Sequence, residues 1–143
     1  MAAVAFARAS GNDPALLDSL FRFASTPGHS VALTFGADLF GGTAPASDLS
    51  ALEVLLGGLA GLPRSHVYLY HEPNRTFHPK VYVFSNEAAR RALVIIGSSN
   101  WSRGGLVDNV EANVALHLDL SDEDHRALFE EIRMNFEKYW SEE

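Results

Sequence analysis

Residues 77–111 read FHPKVYVFSNEAARRALVIIGSSNWSRGGLVDNVE. His78 and Lys80 stand two residues apart, and on a strand a period of two puts both side chains on one face. Lys80 to Phe84 reads as that strand, with Val81 and Val83 on the opposite face. After a turn or short helix from Asn86 to Arg91 comes Ala92-Leu93-Val94-Ile95-Ile96, an unbroken apolar run that predicts a strand buried on both faces. It ends in Gly97-Ser98-Ser99-Asn100, a small polar turn able to present backbone N–H groups, a hydroxyl and an amide. Asn100 to Asp108 is a loop or short helix with a glycine pair, Gly104-Gly105, and Val110 to Leu118 reads as a further strand carrying Glu111 and Asn113 on one side. These parts suit chemistry on a phosphate. An imidazole can attack or donate a proton, an ammonium holds charge, amides donate, and a carboxylate orients the imidazole.

Before this stretch, Ala3-Val4-Ala5-Phe6, Val31 to Phe35 and His66 to Tyr70 read as strands. The first helix has Asp13 as N-cap and Pro14 at its first position, with Leu16, Leu17, Leu20, Phe21 and Ala24 on one face. A second helix is capped by Ser47 and turns Leu49, Leu52, Leu55, Leu56 and Leu59 inward, weakened near its end by Gly57-Gly58. The loop between them, GADLFGGTAP from Gly36 to Pro45, lacks the Lys-Ser/Thr ending of a nucleotide-binding loop and reads as surface. After the last strand, Ser121 caps a helix with Asp122, Glu123 and Asp124 at its positive end and an apolar stripe of Leu128, Phe129, Ile132, Phe136, Tyr139 and Trp140. The order predicts an α/β sandwich, a central mixed sheet flanked by helices, formed by residues 1–143 as one domain.

The totals narrow the function. The chain is long enough for a real core, and no apolar run spans a bilayer, so no membrane partner is expected. The opening MAAVAFARASG does not read as a signal peptide, and there is no cysteine, which together suit the cytoplasm. The spacing of His66 and His71 to His78 fits no usual zinc pattern, so no metal site is expected, and no motif calls for a cofactor. A net charge of −7 argues against a nucleic-acid binder, but its distribution does not: Arg64 to Arg103 holds six basic and two acidic residues, the remainder five and sixteen. The candidate site lies in the only basic segment, where local charge can hold a phosphate while an acidic remainder limits non-specific binding.

His78-Pro79-Lys80 followed by Gly97-Ser98-Ser99-Asn100 resembles the signature of the phospholipase D superfamily: His-x-Lys, four residues, an Asp, and later Gly-Ser-x-Asn. The wider context TFHPKVYVF…GSSNWSRGGLVDNVEANVAL is most similar to the nuclease-type branch, in particular the modules of some restriction endonucleases and helicase-linked defence proteins. The family's Asp would fall at Ser85, a departure that counts against a phospholipase more than against a nuclease.

The resemblance implies a phospholipase D-like fold over most of the chain and a metal-independent phosphodiesterase. One His attacks phosphorus to form a phosphohistidine; a second protonates the leaving oxygen and then activates water. With one His-x-Lys per chain, it implies a homodimer in which His78 plays both parts, one in each protomer. Lys80 and Asn100 then bind phosphate, Ser98 supports them, and Glu111 orients His78. Arg75 and Arg103 flank the motif as candidate backbone contacts, with solvated arginines the alternative; Trp101 is a candidate base-stacking residue, with a core aromatic the alternative. Ser98 is equally a plain turn residue. DNA or RNA is the implied substrate, and a helicase or other defence component an implied partner. A phosphatidyl-group hydrolase or transferase is the alternative enzyme. A docking or dimerising module with little activity of its own is the non-enzymatic alternative.

Overall fold

A computed structural model describes residues 1–5, 7–37, 47–72 and 77–140. Phe6, most of the glycine-rich loop and Arg75 lie outside the described residues. In chain order the elements are β1 (Ala2–Val4), α1 (Pro14–Ser25), β2 (Val31–Gly36), α2 (Leu49–Leu59), β3 (Ser65–Tyr70), β4 (Lys80–Asn86), β5 (Arg91–Gly97), β6 (Asn113–Asp119) and α3 (Glu123–Glu137). The strands form a six-stranded mixed sheet in the order β3-β2-β1-β4-β5-β6. β1, β2 and β3 run parallel, joined through α1 and α2, while β4, β5 and β6 form an antiparallel meander. The seam is the antiparallel pairing of β1 with β4, which sets Val4 opposite Lys80. The α/β sandwich expected from the element order is therefore the observed fold.

Two apolar clusters show how the layers assemble. On one face Val4, Leu33 and Phe35 pack with Leu52, Leu55 and Leu59 of α2 and Leu17 and Leu20 of α1. On the other, Val83, Val94 and Leu118 pack with Phe129 and Phe136 of α3. Trp140, just past α3, donates its indole N–H to the fully buried hydroxyl of Thr34 at 2.9 Å, pinning the chain end across β2.

Local signals explain the helix starts, with two corrections. Asp13 caps α1 as expected, its carboxylate accepting from Ala15 N at 2.9 Å and Leu16 N at 3.1 Å. Asp13→Ala is expected to cost about 1 kcal/mol in a urea melt, without loss of the sheet signal. Ser47 does not cap α2; Asp48 occupies that position. Ser47 is instead buried, accepting from Ala7 N at 3.1 Å and donating to Gly36 O at 3.2 Å, because two strand ends meet there and need a polar partner. The Asp48 carboxylate accepts from Ala9 N and from Arg8, each at 2.9 Å, and these bonds hold it below the usual carboxylate range. Nor does Ser121 cap α3; Asp122 does, accepting from His125 N at 3.0 Å, while Ser121 is drawn into a turn by the Asp119 carboxylate.

Three further expectations change. Leu49 and Leu56 do not face inward, since at 100° per residue the side defined by Leu52, Leu55 and Leu59 leaves them outside. β5 is not buried on both faces. Ala92 and Val94 face α3, but Leu93 and Ile95 are only half-buried, because α1 and α2 cover β1 to β3 and not the meander. β6 begins at Asn113 rather than Val110, because a π-helical turn over Gly104–Asp108, closed by Asn109 N donating to Gly104 O at 2.8 Å, consumes the preceding residues. Glu111 therefore sits in the loop before β6.

Candidate active site

His78 and Lys80 lie where β4 begins beside the end of β1, and Ser98, Asn100 and Glu111 lie in the segment between β5 and β6. Ala5 N donates to Pro79 O at 2.8 Å, continuing the β1–β4 pairing past the strand and holding His78-Pro79 against the sheet. His78 precedes β4 and is exposed. Lys80, the first residue of β4, is only 8% exposed. Its Nζ lies 2.9 Å from Nδ1 and 3.0 Å from Nε2 of His78, and it also donates to the His78 carbonyl at 3.3 Å. An ammonium is thus held against an accessible imidazole. Burial pulls the Lys80 ammonium below the ordinary lysine value, and the Glu111 carboxylate pulls it back up.

Glu111 is held by the loop facing it. Ser98 Oγ donates to Oε2 in a short hydrogen bond, and Asn109 Nδ2 donates to Oε1 at 3.3 Å. Ser98 also accepts from Ala112 N at 3.0 Å and donates its own N–H to Ala112 O at 3.2 Å, so the β5–β6 pairing runs one residue into the motif. Ser99 is buried: its hydroxyl accepts from Asn113 Nδ2 at 2.8 Å and its carbonyl from the Tyr82 hydroxyl at 3.1 Å. Burial also pushes the Tyr82 hydroxyl well above its ordinary value, so it stays a donor. Asn100 Oδ1 is buried without a hydrogen-bond partner among the described residues. Such a group is costly unless something else satisfies it.

Trp101 is corrected. It is 5% exposed, donates from Nε1 to Asn12 Oδ1 at 3.0 Å, and meets Phe35 edge-on at 6.4 Å. Its indole belongs to the core and has no face left for a base. Arg103 is exposed, its Nε donating to Asp108 Oδ2 at 3.0 Å, so its charge is largely balanced locally. Among the described residues no group of three or more His, Cys, Asp or Glu side chains is arranged to hold a metal.

Several functional neighbours escaped the sequence reading. Tyr82 looked like an ordinary strand aromatic and Asn113 like a polar alternation. Gly97 and Gly105 carried the clearest signal. A Cβ on Gly97 would lie 2.3 Å from the Ala112 carbonyl, and one on Gly105 would lie 2.6 Å from both the N and O of Asn100. Backbone cannot yield at such distances, so these glycines set the path of the loop bearing Ser98 and Asn100.

A cation, an imidazole, an amide and a braced carboxylate are the kinds of group that can bind and react with a phosphate ester. Residues 5–140 match the family model described as "Cardiolipin synthase, PLD-like domain", and the chain belongs to this phospholipase D-like family, a phosphodiesterase-type superfamily. No curated protein matches the chain. Among the described residues no helix is long and apolar enough to cross a membrane.

Proposed function

We propose that this chain, residues 1–143 acting as one unit, is a nuclease-type phosphodiesterase that cleaves DNA without a metal ion, its active site shared between two copies. The observation that carries the reading is the buried Lys80 ammonium against the exposed His78 imidazole. In the proposed reaction a His78 ring nitrogen attacks phosphorus, a P–N bond forms, and the P–O bond to the leaving strand breaks. The second copy's His78 gives its proton to that leaving oxygen. It then takes a proton from water, whose oxygen displaces the first His78 and completes hydrolysis. Dividing the displacement in two gives each half an easier barrier. Lys80 and Asn100 hold the non-bridging oxygens, and Glu111, braced by Ser98, sets the field around Lys80 and orients His78. Cytoplasmic DNA is the substrate this reading favours, with a helicase or other defence component as a natural partner.

The test is incubation with labelled single- and double-stranded DNA in excess EDTA, beside His78→Ala. Cleavage by the parent that falls at least ~1,000-fold in the variant is expected, since the nucleophile is lost. Equal cleavage by both would overturn the assignment of His78. A second reading, phosphatidyl-group transfer, draws on the printed name of the matching family. Ser85 in place of the signature Asp counts against it, as does the lack of a basic amphipathic helix among α1, α2 and α3. Phosphatidylglycerol vesicles in the same assay separate the two.

A further inference from the structure

Tyr82 joins two parts of the site. It follows Lys80 by two residues on β4, so both side chains leave the same face of the strand. Its hydroxyl donates to the Ser99 carbonyl at 3.1 Å, reaching from the strand that holds the cation to the loop that holds the amide. That carbonyl belongs to the peptide unit between Ser99 and Asn100. A peptide unit is planar, so fixing its oxygen fixes the plane that ends at the Asn100 Cα. The Ser99 hydroxyl is held separately, by Asn113 Nδ2 at 2.8 Å. Asn113 stands opposite Gly97 in the β5–β6 pairing, and a Cβ on Gly97 would lie 2.2 Å from its Oδ1, so the glycine leaves the room that Asn113 occupies. Asn100 depends on this backbone. Its Oδ1 is buried with no hydrogen-bond partner among the described residues, so no bond to that oxygen within them sets the direction of the amide.

We infer that Tyr82 is a positioning residue for phosphodiester cleavage: through the Ser99 carbonyl it sets where the Asn100 amide meets a non-bridging oxygen, and it ties that point to the strand bearing Lys80. Its part in catalysis rests on the reading of Asn100 as a holder of phosphate. The hydroxyl touches no reacting atom and acts only through the peptide unit it fixes. The ring is a separate matter. It packs against the apolar cluster beneath α1 and α2, so Tyr82→Phe deletes the hydrogen bond and keeps the packing. The Ser99 carbonyl is then left without its donor in a buried place, and the loop must shift to satisfy it.

Tyr82→Phe is expected to lower kcat by about 10- to 100-fold with KM nearly unchanged, since a misplaced group loses more in the transition state than in binding. Asp13→Ala, which weakens a helix cap instead, is the control for lost stability and should keep the parent's kcat below its melt. A double-mutant cycle with Asn100→Ala then separates the roles, run on labelled DNA and on bis(para-nitrophenyl) phosphate. With the amide gone, Tyr82→Phe should cost no more than ~2-fold, because its whole effect passes through Asn100. An equal loss in both backgrounds overturns this role, since the hydroxyl would then act on stability or on the substrate directly. A chain that hydrolyses only the aryl diester sinks the DNA reading and leaves the cycle to decide on Tyr82. The side-chain amide NMR signals of Asn100 give a readout that needs no turnover. They should shift or broaden in Tyr82→Phe, and signals identical to the parent's overturn the role whether or not the chain cleaves any diester.

Discussion

Lys80→Met is expected to lower DNA cleavage by about 100- to 1,000-fold while leaving the fold as stable as before or more so. The first half follows from the cation's place against His78: a fixed charge beside the attacking imidazole stabilises the charge that develops on the phosphoryl oxygens, and losing one such group typically costs that much. The second half follows from its burial. The ammonium has been taken out of water at a cost, and methionine fills nearly the same volume with no charge to desolvate, a change that is neutral or stabilising on the order of 1 kcal/mol. A lysine that merely held the fold would give the reverse, a lower melting temperature with activity falling only in proportion to the folded fraction. Turnover and a denaturant melt on the same preparation separate these outcomes.

The same residue sets an alkaline limit. Burial lowers its folded-state value below that of an unfolded lysine, so activity is expected to fall on the basic side sooner than a solvated lysine would require. Glu111 opposes that shift. Glu111→Gln removes the carboxylate that favours the ammonium and should move the alkaline limb of the rate profile to lower pH. A limb that stays in place would show that Glu111 acts on His78 alone. For stability only the direction of the shift matters, and a lowered lysine carries the same sign as a lowered carboxylate such as Asp48. Between the folded and unfolded values the unfolded chain holds the proton and the folded chain does not, so this group adds stability as pH rises through that window.

Much of this was legible in the residues because the signals were local. The Asp13-Pro14 start of α1 and the β4 and β5 runs each depend on neighbours a few positions away, and each appears where expected, although His78 falls just before β4 rather than on it. The errors came where distant residues decide. Ser47 looked like a cap but is claimed by Ala7 and Gly36, up to forty positions away in sequence. The apolar run of β5 matched burial on both faces, yet coverage depends on where α1 and α2 come to rest. Glu111 looked like a strand residue because nothing in GGLVD announces a π-helical turn. The support of the loop by Tyr82 and Asn113 is a tertiary fact that no spacing rule could contain.

Trp101→Ala is expected to cost about 3–5 kcal/mol, a large part of the stability of a domain this size. The indole fills the space beneath α1 and α2 with Phe35 and Leu52, and its N–H satisfies Asn12, so truncation opens a cavity and strands a polar group together. Because Trp101 follows Asn100 directly, and Gly105 packs on the Asn100 backbone, the loop that presents the amide should loosen as well. Activity should then fall through turnover, even below the temperature at which the variant melts. A tryptophan serving as a base platform would behave differently: the melt would hold, and affinity for single-stranded DNA would drop by about 1–3 kcal/mol with turnover at saturation unchanged. Trp101→Phe sharpens the contrast. It keeps an aromatic face but loses the bond to Asn12, so the core role predicts a smaller, real loss of stability where the stacking role predicts almost none.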